Sequence, residues 1–320
     1  RDLPVKFLRL PEPVVVLGGG GFIGANLVHR LRADGYEVQA VDIEFPAWRG
    51  VSGAKLDLRD PTQANLAVAG AGTVFHLAAD MGGVGYFHSG ADLGAAMANG
   101  IMSHNVIEAC ATARVRRLFY ASSACAYPTE CQMEEGLAPL LSEDMLGFGT
   151  PDALYGAEKL HTLRLMGKVP HARVGVFHTI YGPLQEHEGV RMKFPAAVAT
   201  KALAARESGI LELWGDGSQL RSYCYIDDAV EQIIRVASAN DYRGPVNIGA
   251  QGAISCRAVA EMCLDLAGAH DAEIRLNPNR PSGVLARDCS LAKFSTMYGA
   301  TQAHTYPHGF AKFLDWLDAL

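Results

Sequence analysis

The stretch PVVVLGGGGFIGANLVHRLRADG, residues 13–35, constrains this chain more than any other. Its first apolar residues read as a buried strand, its glycines as a tight turn, and its remainder as an amphipathic helix. A second strand follows at YEVQAVD, residues 36–42. Further apolar runs stand at GTVFHLAA, RRLFYASS and ARVGVFHT, separated by helix-like segments near 62–69, 94–113 and 153–167. Strands alternating with helices predict an α/β, Rossmann-like, doubly wound parallel sheet. From about residue 180 the rhythm breaks into shorter elements and loops such as WGDGSQLRS and NPNRPSGVLARD. The expected organisation is a dinucleotide-binding domain over 1–180 and a smaller C-terminal α/β substrate lobe over 181–320, with some segments returning to the first domain.

Gly18, Gly21 and Gly24 form GxxGxxG between strand and helix. Such a turn lets the backbone approach a pyrophosphate, and the helix N-terminus favours its charge. Asp42, at the end of the next strand, can accept hydrogen bonds from the adenosine ribose and would repel a 2′-phosphate. The expected cofactor is therefore NAD rather than NADP.

Composition removes other classes. A net charge of −6 leaves no basic footprint for nucleic acid. No apolar run approaches the roughly 20 residues of a membrane span. RDLPVKFLRLPEP at the N-terminal end lacks the apolar centre of a signal peptide. The seven cysteines are odd in number and contain no CxxC pair, which predicts reduced thiols in a cytoplasm. No metal is expected, and His76 inside an apolar strand reads as a core histidine.

Two local patterns carry chemistry. In ALYGAEKL, Tyr155 and Lys159 share one helix face at i, i+4. An ammonium near a phenol favours the phenolate, so Lys159 is expected to lower the Tyr155 pKa and make it a general base. Alone, YxxxK marks no more than an exposed helix face. In YASSACAYP, residues 120–128, Ser123 and Cys125 point the same way if the strand runs to its exit. A thiol there is either a small buried hydrophobe or half of an acid–base pair.

With these residues in view, the chain resembles the extended short-chain dehydrogenase/reductase family, in its nucleotide-sugar branch, and most of all the GDP-mannose 3,5-epimerases. The segments that carry the likeness are GGGGFIGANL, HLAADMGGVGY, FYASSACAYP, YGAEKL, FHTIYGP, RMKFPAA and WGDGSQLRSYCYIDD. The resemblance implies a redox triad of Ser123, Tyr155 and Lys159, and an acid–base pair of Cys125 and Lys193. It implies NAD contacts at Gly18, Gly21, Phe22, Ile23, Gly24, Asp42, Asp57, Leu58, Leu77, Ala78, Ala79 and Asn99, besides Tyr155 and Lys159. It implies substrate contacts at Gly82, Gly83, Thr179, Lys193, Lys201, Trp214, Gln219, Arg221 and Arg287.

The implied reaction is transient oxidation at C4 of a GDP-sugar, inversion at C3 and C5, and return of the hydride from a tightly bound, recycled NAD. The dehydratases of the same branch follow the triad hydroxyl with an Asp–Glu pair, where this chain has Ala124 and Cys125. Two departures bear on the sugar. Thr179 stands where the branch has Asn, and LQEHEG replaces an aromatic-containing loop, which is expected to bring Glu186 and His187 to the substrate mouth. The segment after Lys159 is also shorter. These leave open a C4-only or single-centre epimerase of a related GDP-sugar, such as a heptose or octose. A non-catalytic NAD-binding regulator is the reading from another class. A homodimer is expected through the helices holding LGAAMANGIMSHNVIEACATA and DALYGAEKLHTLRLM.

Overall fold

A computed structural model describes residues 6–242, 244–280, 283–301 and 304–320. Residues 1–5 of the N-terminal stretch and 281–282 of the NPNRPSGVLARD loop lie outside the described residues. The frame is one seven-stranded parallel sheet. Its strands are β1 (Val14–Leu17), β2 (Val38–Asp42), β3 (Ala54–Lys55), β4 (Thr73–His76), β5 (Arg117–Ser123), β6 (Ala172–Phe177) and β7 (Val246–Ile248). They lie in the order β7-β6-β5-β4-β1-β2-β3. The order reverses between β1 and β4, the switch point at which doubly wound sheets bind ligands.

The strand composition explains the layers. In β1, Val14 and Val16 face one buried cluster while Val15 and Leu17 face the other. Side chains two apart share a face, so a strand apolar at every position serves both sides of a covered sheet. All four are at most 1% exposed. Full burial of such a side chain contributes about 1.5–3 kcal/mol, so a charged replacement of Val16 would remove that and strand a charge in the core.

The helices that matter for the site are α1 (Phe22–Ala33), α2 (Pro61–Val68), α3 (Asp92–Thr112), α4 (Ala153–Met166), α5 (Phe194–Ser208) and α6 (Ile226–Ser238). Helix α6 and strand β7 come from beyond residue 181 yet pack into the parallel sheet's layers. Arg117 of β5 ties down the end of α6 by donating to the carbonyls of Ala237 at 2.6 Å and Ala239 at 3.0 Å. Among the described residues, three smaller sheets flank the frame. The largest joins Ile254–Ser255, Leu220–Arg221, Ala286–Cys289 and Leu140–Leu141 in that order. No described helix is long and apolar enough to cross a membrane.

Candidate active site

The glycine turn leaves β1 with Gly18 at φ +83°, a conformation that excludes most side chains. A Cβ there would stand 2.6 Å from the Ala78 amide nitrogen, and one on Gly24 would stand 1.9 Å from the Gly18 carbonyl oxygen. Turn, helix and the end of β4 are thus in backbone contact. Helix α1 opens on Gly21 with no side-chain cap and no acidic residue in its first turn. Its first amides are left for an anion, as a dinucleotide pyrophosphate needs. These features fit NAD.

Asp42 stands at the end of β2, where its carboxylate accepts from the Gly20 amide at 2.9 Å and the Ile43 amide at 2.7 Å. Burial raises its pKa, and those amides and the Arg49 charge offset part of that. Asp57 pairs with Arg59 at 2.6 Å. Leu58 is buried, with its carbonyl held by Asn105 at 2.9 Å. The Leu77 amide continues the β1 ladder by donating to Leu17. Asn99, buried on α3, accepts from the Asp80 amide at 2.6 Å and donates to the Asp80 carbonyl at 2.9 Å. Its amide fixes the strip that leaves β4, running through Ala79 to Gly82 and Gly83.

The second cluster grows from the end of β5. Ser123 caps a short turn over Ala124–Ala126, accepting from the Cys125 amide at 3.2 Å. Helix α4 lies against this turn. The Asp152 amide donates to the Cys125 carbonyl at 2.8 Å, and a Cβ on Gly156 would stand 2.2 Å from that same oxygen. The glycine lets the helix approach closely. The start of α4 is capped from outside: Asp92 of α3 accepts from the Leu154 amide at 3.0 Å and the Tyr155 amide at 3.1 Å. Asp152, which begins the helix without capping it, instead pairs with Arg287 at 3.3 Å.

Tyr155 is buried. The expected depression of its pKa is not found. Burial pushes the phenol well up, the Cys125 and Glu158 charges add to that, and Ser123 opposes it. The reason is geometric. Lys159 aims its ammonium elsewhere, donating to the Tyr120 hydroxyl at 3.3 Å and the Ala121 carbonyl at 3.4 Å. It passes 5.7 Å from the centre of the Tyr155 ring. Burial lowers the Lys159 pKa, while Glu158, 3.9 Å away, and Cys125 hold it up.

Lys193 arrives from a distant loop as the residue before α5. Burial lowers its pKa and Cys125 opposes that, while its backbone lies against the strip after β4, with its Cα 3.5 Å from a Cβ built on Gly83. Arg287 closes the cluster. It donates to Cys125 Sγ at 3.8 Å and to Gln132 Oε1 at 2.6 Å, besides its Asp152 contact. The chain therefore brings together Ser123, Cys125, Tyr155, Lys159 and Arg287, with Lys193 on the loop that packs on Gly83.

The other substrate candidates are spread further out. Thr179 lies on a short strand paired with Tyr223–Tyr225. Lys201 donates to the Glu212 carbonyl at 2.9 Å and stands 5.7 Å from the Trp214 ring centre, with Arg280 at 5.1 Å from that ring. Buried Gln219 donates to Asp216 at 2.9 Å. Arg221 spends its guanidinium on the carbonyls of Leu220, Val284 and Leu285, and burial lowers its pKa.

The expectation for the LQEHEG loop is corrected. Glu186 pairs at 2.9 Å with Arg49, whose guanidinium also donates to the Gly20 carbonyl at 2.9 Å and the Leu184 carbonyl at 3.0 Å. His187 packs between Trp48 and Trp316, at ring distances of 5.2 and 5.5 Å. A buried arginine and an aromatic groove, both remote in sequence, draw this loop to the glycine turn. Residues that the sequence reading missed include Arg49, Asp80, Tyr86, Gln132, Asp152 and Arg191. Asp80, Tyr86, Asp152 and Arg191 stand inside quoted segments, whereas Arg49 and Gln132 carried no local signal. His304 and His308, four apart, were also passed over. His304 is engaged by Asp228 at 2.8 Å and Lys312 at 3.4 Å, and no group of three potential metal ligands occurs among the described residues. All seven cysteines are free thiols.

Comparison with known proteins agrees with this geometry. The model of the NAD dependent epimerase/dehydratase family matches residues 14–249. GDP-mannose 3,5-epimerase 1 of Oryza sativa subsp. japonica is 35% identical over 292 residues, 86% of this chain and 73% of that one. The structure of MoeE5 in complex with UDP-glucuronic acid and NAD is 28% identical, with a TM-score of 0.79 over 96% of this chain and 99% of that one. UDP-glucose 4-epimerase of Thermotoga maritima, at 21% identity and a TM-score of 0.83 over 96% of this chain and 98% of that one, shares the fold. With its glycine turn, its parallel sheet and these relatives, the chain belongs to the NAD-dependent epimerase/dehydratase family.

Proposed function

We propose that this chain is a GDP-mannose 3,5-epimerase. The observation that carries the reading is Cys125 on the turn that Ser123 caps, packed against the helix of Tyr155 and Lys159, and Lys193 supports it as a candidate acid, since acid and base are both needed to invert a carbon. The likeness to the rice enzyme supports the choice of sugar nucleotide.

NAD, when bound, accepts a hydride from C4 and returns it there. Ser123 holds the C4 oxygen, and Tyr155 takes its proton as the C–H bond is lost, acting as the phenolate that the positive charge of a bound nicotinamide would favour against the effect of burial. Lys159, 5.7 Å from the Tyr155 ring centre, would hold the nicotinamide ribose. The resulting 4-ketone acidifies the hydrogens at C3 and C5. Cys125 removes such a proton, and the C–H electron pair passes to the enolate. Lys193 then delivers a proton to the opposite face. Tyr155 returns its proton when C4 is reduced, so the sequence is redox-neutral. Arg287, with its Gln132 and Asp152 anchors, carries positive charge into the same region and suits a diphosphate or sugar hydroxyl.

Thr179 is the remaining feature that favours a related GDP-sugar, since the loop at 184–188 is drawn to the glycine turn. Incubation with GDP-mannose in D2O, followed by NMR of the sugar, tests the reading. Deuterium at C3 and C5 supports it. Inversion at a single centre, or at C4 without deuterium, would favour the sibling activity, and sugar recovered with neither inversion nor deuterium would remove catalysis.

The reading extends to a homodimer. Leu93, Met97 and Ile101 lie 59%, 59% and 46% exposed along one side of α3, and Leu154 at the start of α4 is 48% exposed. Residues four apart share a helix face, so this is one apolar stripe on the two adjacent helices. Light scattering at micromolar concentration should give the mass of two chains, and a monomer would remove the dimer.

A further inference from the structure

Lys193 lies at the end of a loop, and a loop alone does not hold an acid in place. Two residues earlier, Arg191 Nη1 donates to Asp80 Oδ1 at 2.7 Å and to the Met81 carbonyl at 2.9 Å. Its Nη2 donates to the Tyr86 hydroxyl at 3.0 Å, and its guanidinium lies 4.2 Å over the Tyr86 ring centre. Tyr86 in turn donates to Asp80 Oδ1 at 2.8 Å. The backbones touch as well. The Gly83 amide donates to the Arg191 carbonyl at 3.2 Å, and a Cβ on Gly83 would stand 2.3 Å from the Met192 carbonyl oxygen. Asp80 itself is fixed on both sides of its backbone by buried Asn99. An unbroken set of contacts thus runs from α3, through the strip after β4, to the residue next to Lys193.

We propose that Asp80 and Arg191 form a latch that positions Lys193 for proton delivery at C3 and C5. They are positioning residues that do not touch the reacting carbons. The inference rests on the epimerase reading given above. Its physical ground is a contrast of magnitudes. The Arg191 side chain is 47% exposed, and an ion pair that open to water contributes little to stability. Three directed hydrogen bonds and a ring contact nevertheless fix its geometry. A misplacement of about 1 Å near a reacting group can cost about 10²-fold in rate. The latch should therefore matter to one chemical step and hardly to folding.

The test uses the holoenzyme with GDP-mannose in D2O, with deuterium at C3 and C5 read by NMR. Reduced cofactor formed in a single turnover is read by absorbance. In Arg191→Gln and Asp80→Asn, exchange should fall about 10²-fold while NADH formation, bound NAD and thermal midpoint stay near the parent values. Arg191→Lys, which keeps the charge facing Asp80, should recover part of the rate. In a Lys193→Ala background, Arg191→Gln should cause no further loss, because residues that act through one group are not additive. Parent-like exchange in Arg191→Gln, a parallel fall in NADH formation, or a full additional loss in the double variant would overturn the latch. Absence of exchange in the parent would instead sink the epimerase reading, and the latch with it.

Discussion

The two halves of the candidate site are built differently. Ser123, Tyr155 and Lys159 stand on β5 and α4, two regular elements in direct contact, and Tyr155 and Lys159 are buried. Cys125 shares the β5 turn, but Lys193 reaches it from a loop and Arg287 from 162 residues away. The first half is rigid because ladder and helix hydrogen bonds fix it. The second is held by side-chain contacts such as those of Arg191 and Arg287. The difference suggests that hydride transfer and carbon inversion can be broken separately.

The largest effect should come from Tyr155→Phe. It removes the group that takes the C4 proton, so NADH formation and deuterium exchange should both fall by ~10²–10⁴-fold. Surviving exchange without NADH would show that inversion needs no oxidation, and the two halves would be independent.

Cys125→Ala should split the site. The reduced cofactor should still form when GDP-mannose is added, while incorporation at C3 and C5 drops by ~10²–10⁴-fold. If incorporation at C3 and C5 persists near the parent rate, the thiol is packing and another group is the base; if inversion persists at C4 alone, a C4-only activity becomes the better reading.

Acid should weaken both halves. His76 packs 5.5 Å from the Tyr120 ring whose hydroxyl accepts from Lys159, His178 meets Asn247 at 3.3 Å, and burial lowers each to a pKa of about 3. The unfolded chain binds these protons below the ordinary histidine value of 6.5 whereas the folded chain does not. Stability should therefore decline as pH falls from about 6.5 towards 3, by roughly 1.4 kcal/mol per pH unit for each histidine. Denaturant midpoints across that window measure the decline, and His178→Gln should make it shallower. A flat profile would mean that these rings are protonated in the fold.

The smallest effect should follow Glu186→Gln. Glu186 is half exposed, so the pair with Arg49 contributes at most about 1 kcal/mol. Because Arg49 also holds the Gly20 carbonyl, NAD should leave the variant a few-fold faster when dialysed. Release at the parent rate would reduce the 184–188 loop to a surface connection.

Much of this was legible without coordinates. The glycine turn, Asp42 and the alternating apolar runs dictate strand, turn and helix over short spans, and the three segments expected near 62–69, 94–113 and 153–167 are α2, α3 and α4. Local periodicity and steric demand act between near neighbours, so one chain suffices to read them. The protonation tendency of Tyr155 was not legible, because i, i+4 spacing brings Lys159 close without saying where its ammonium points. Tyr120 and Ala121, on a separate strand, decide that.

By itself the sequence determined the fold class, the cofactor turn and the residues able to do chemistry, since each is written in spacing and residue type. Tertiary structure alone decided what surrounds them. It sent Glu186 to Arg49, set Arg287 beside Cys125 and latched Arg191 to Asp80. These partners lie more than 100 residues apart and meet at directions set by packing, which no local pattern records. Burial then fixes the charge tendencies of Tyr155, Lys159 and Lys193, because desolvation depends on everything that closes over a group.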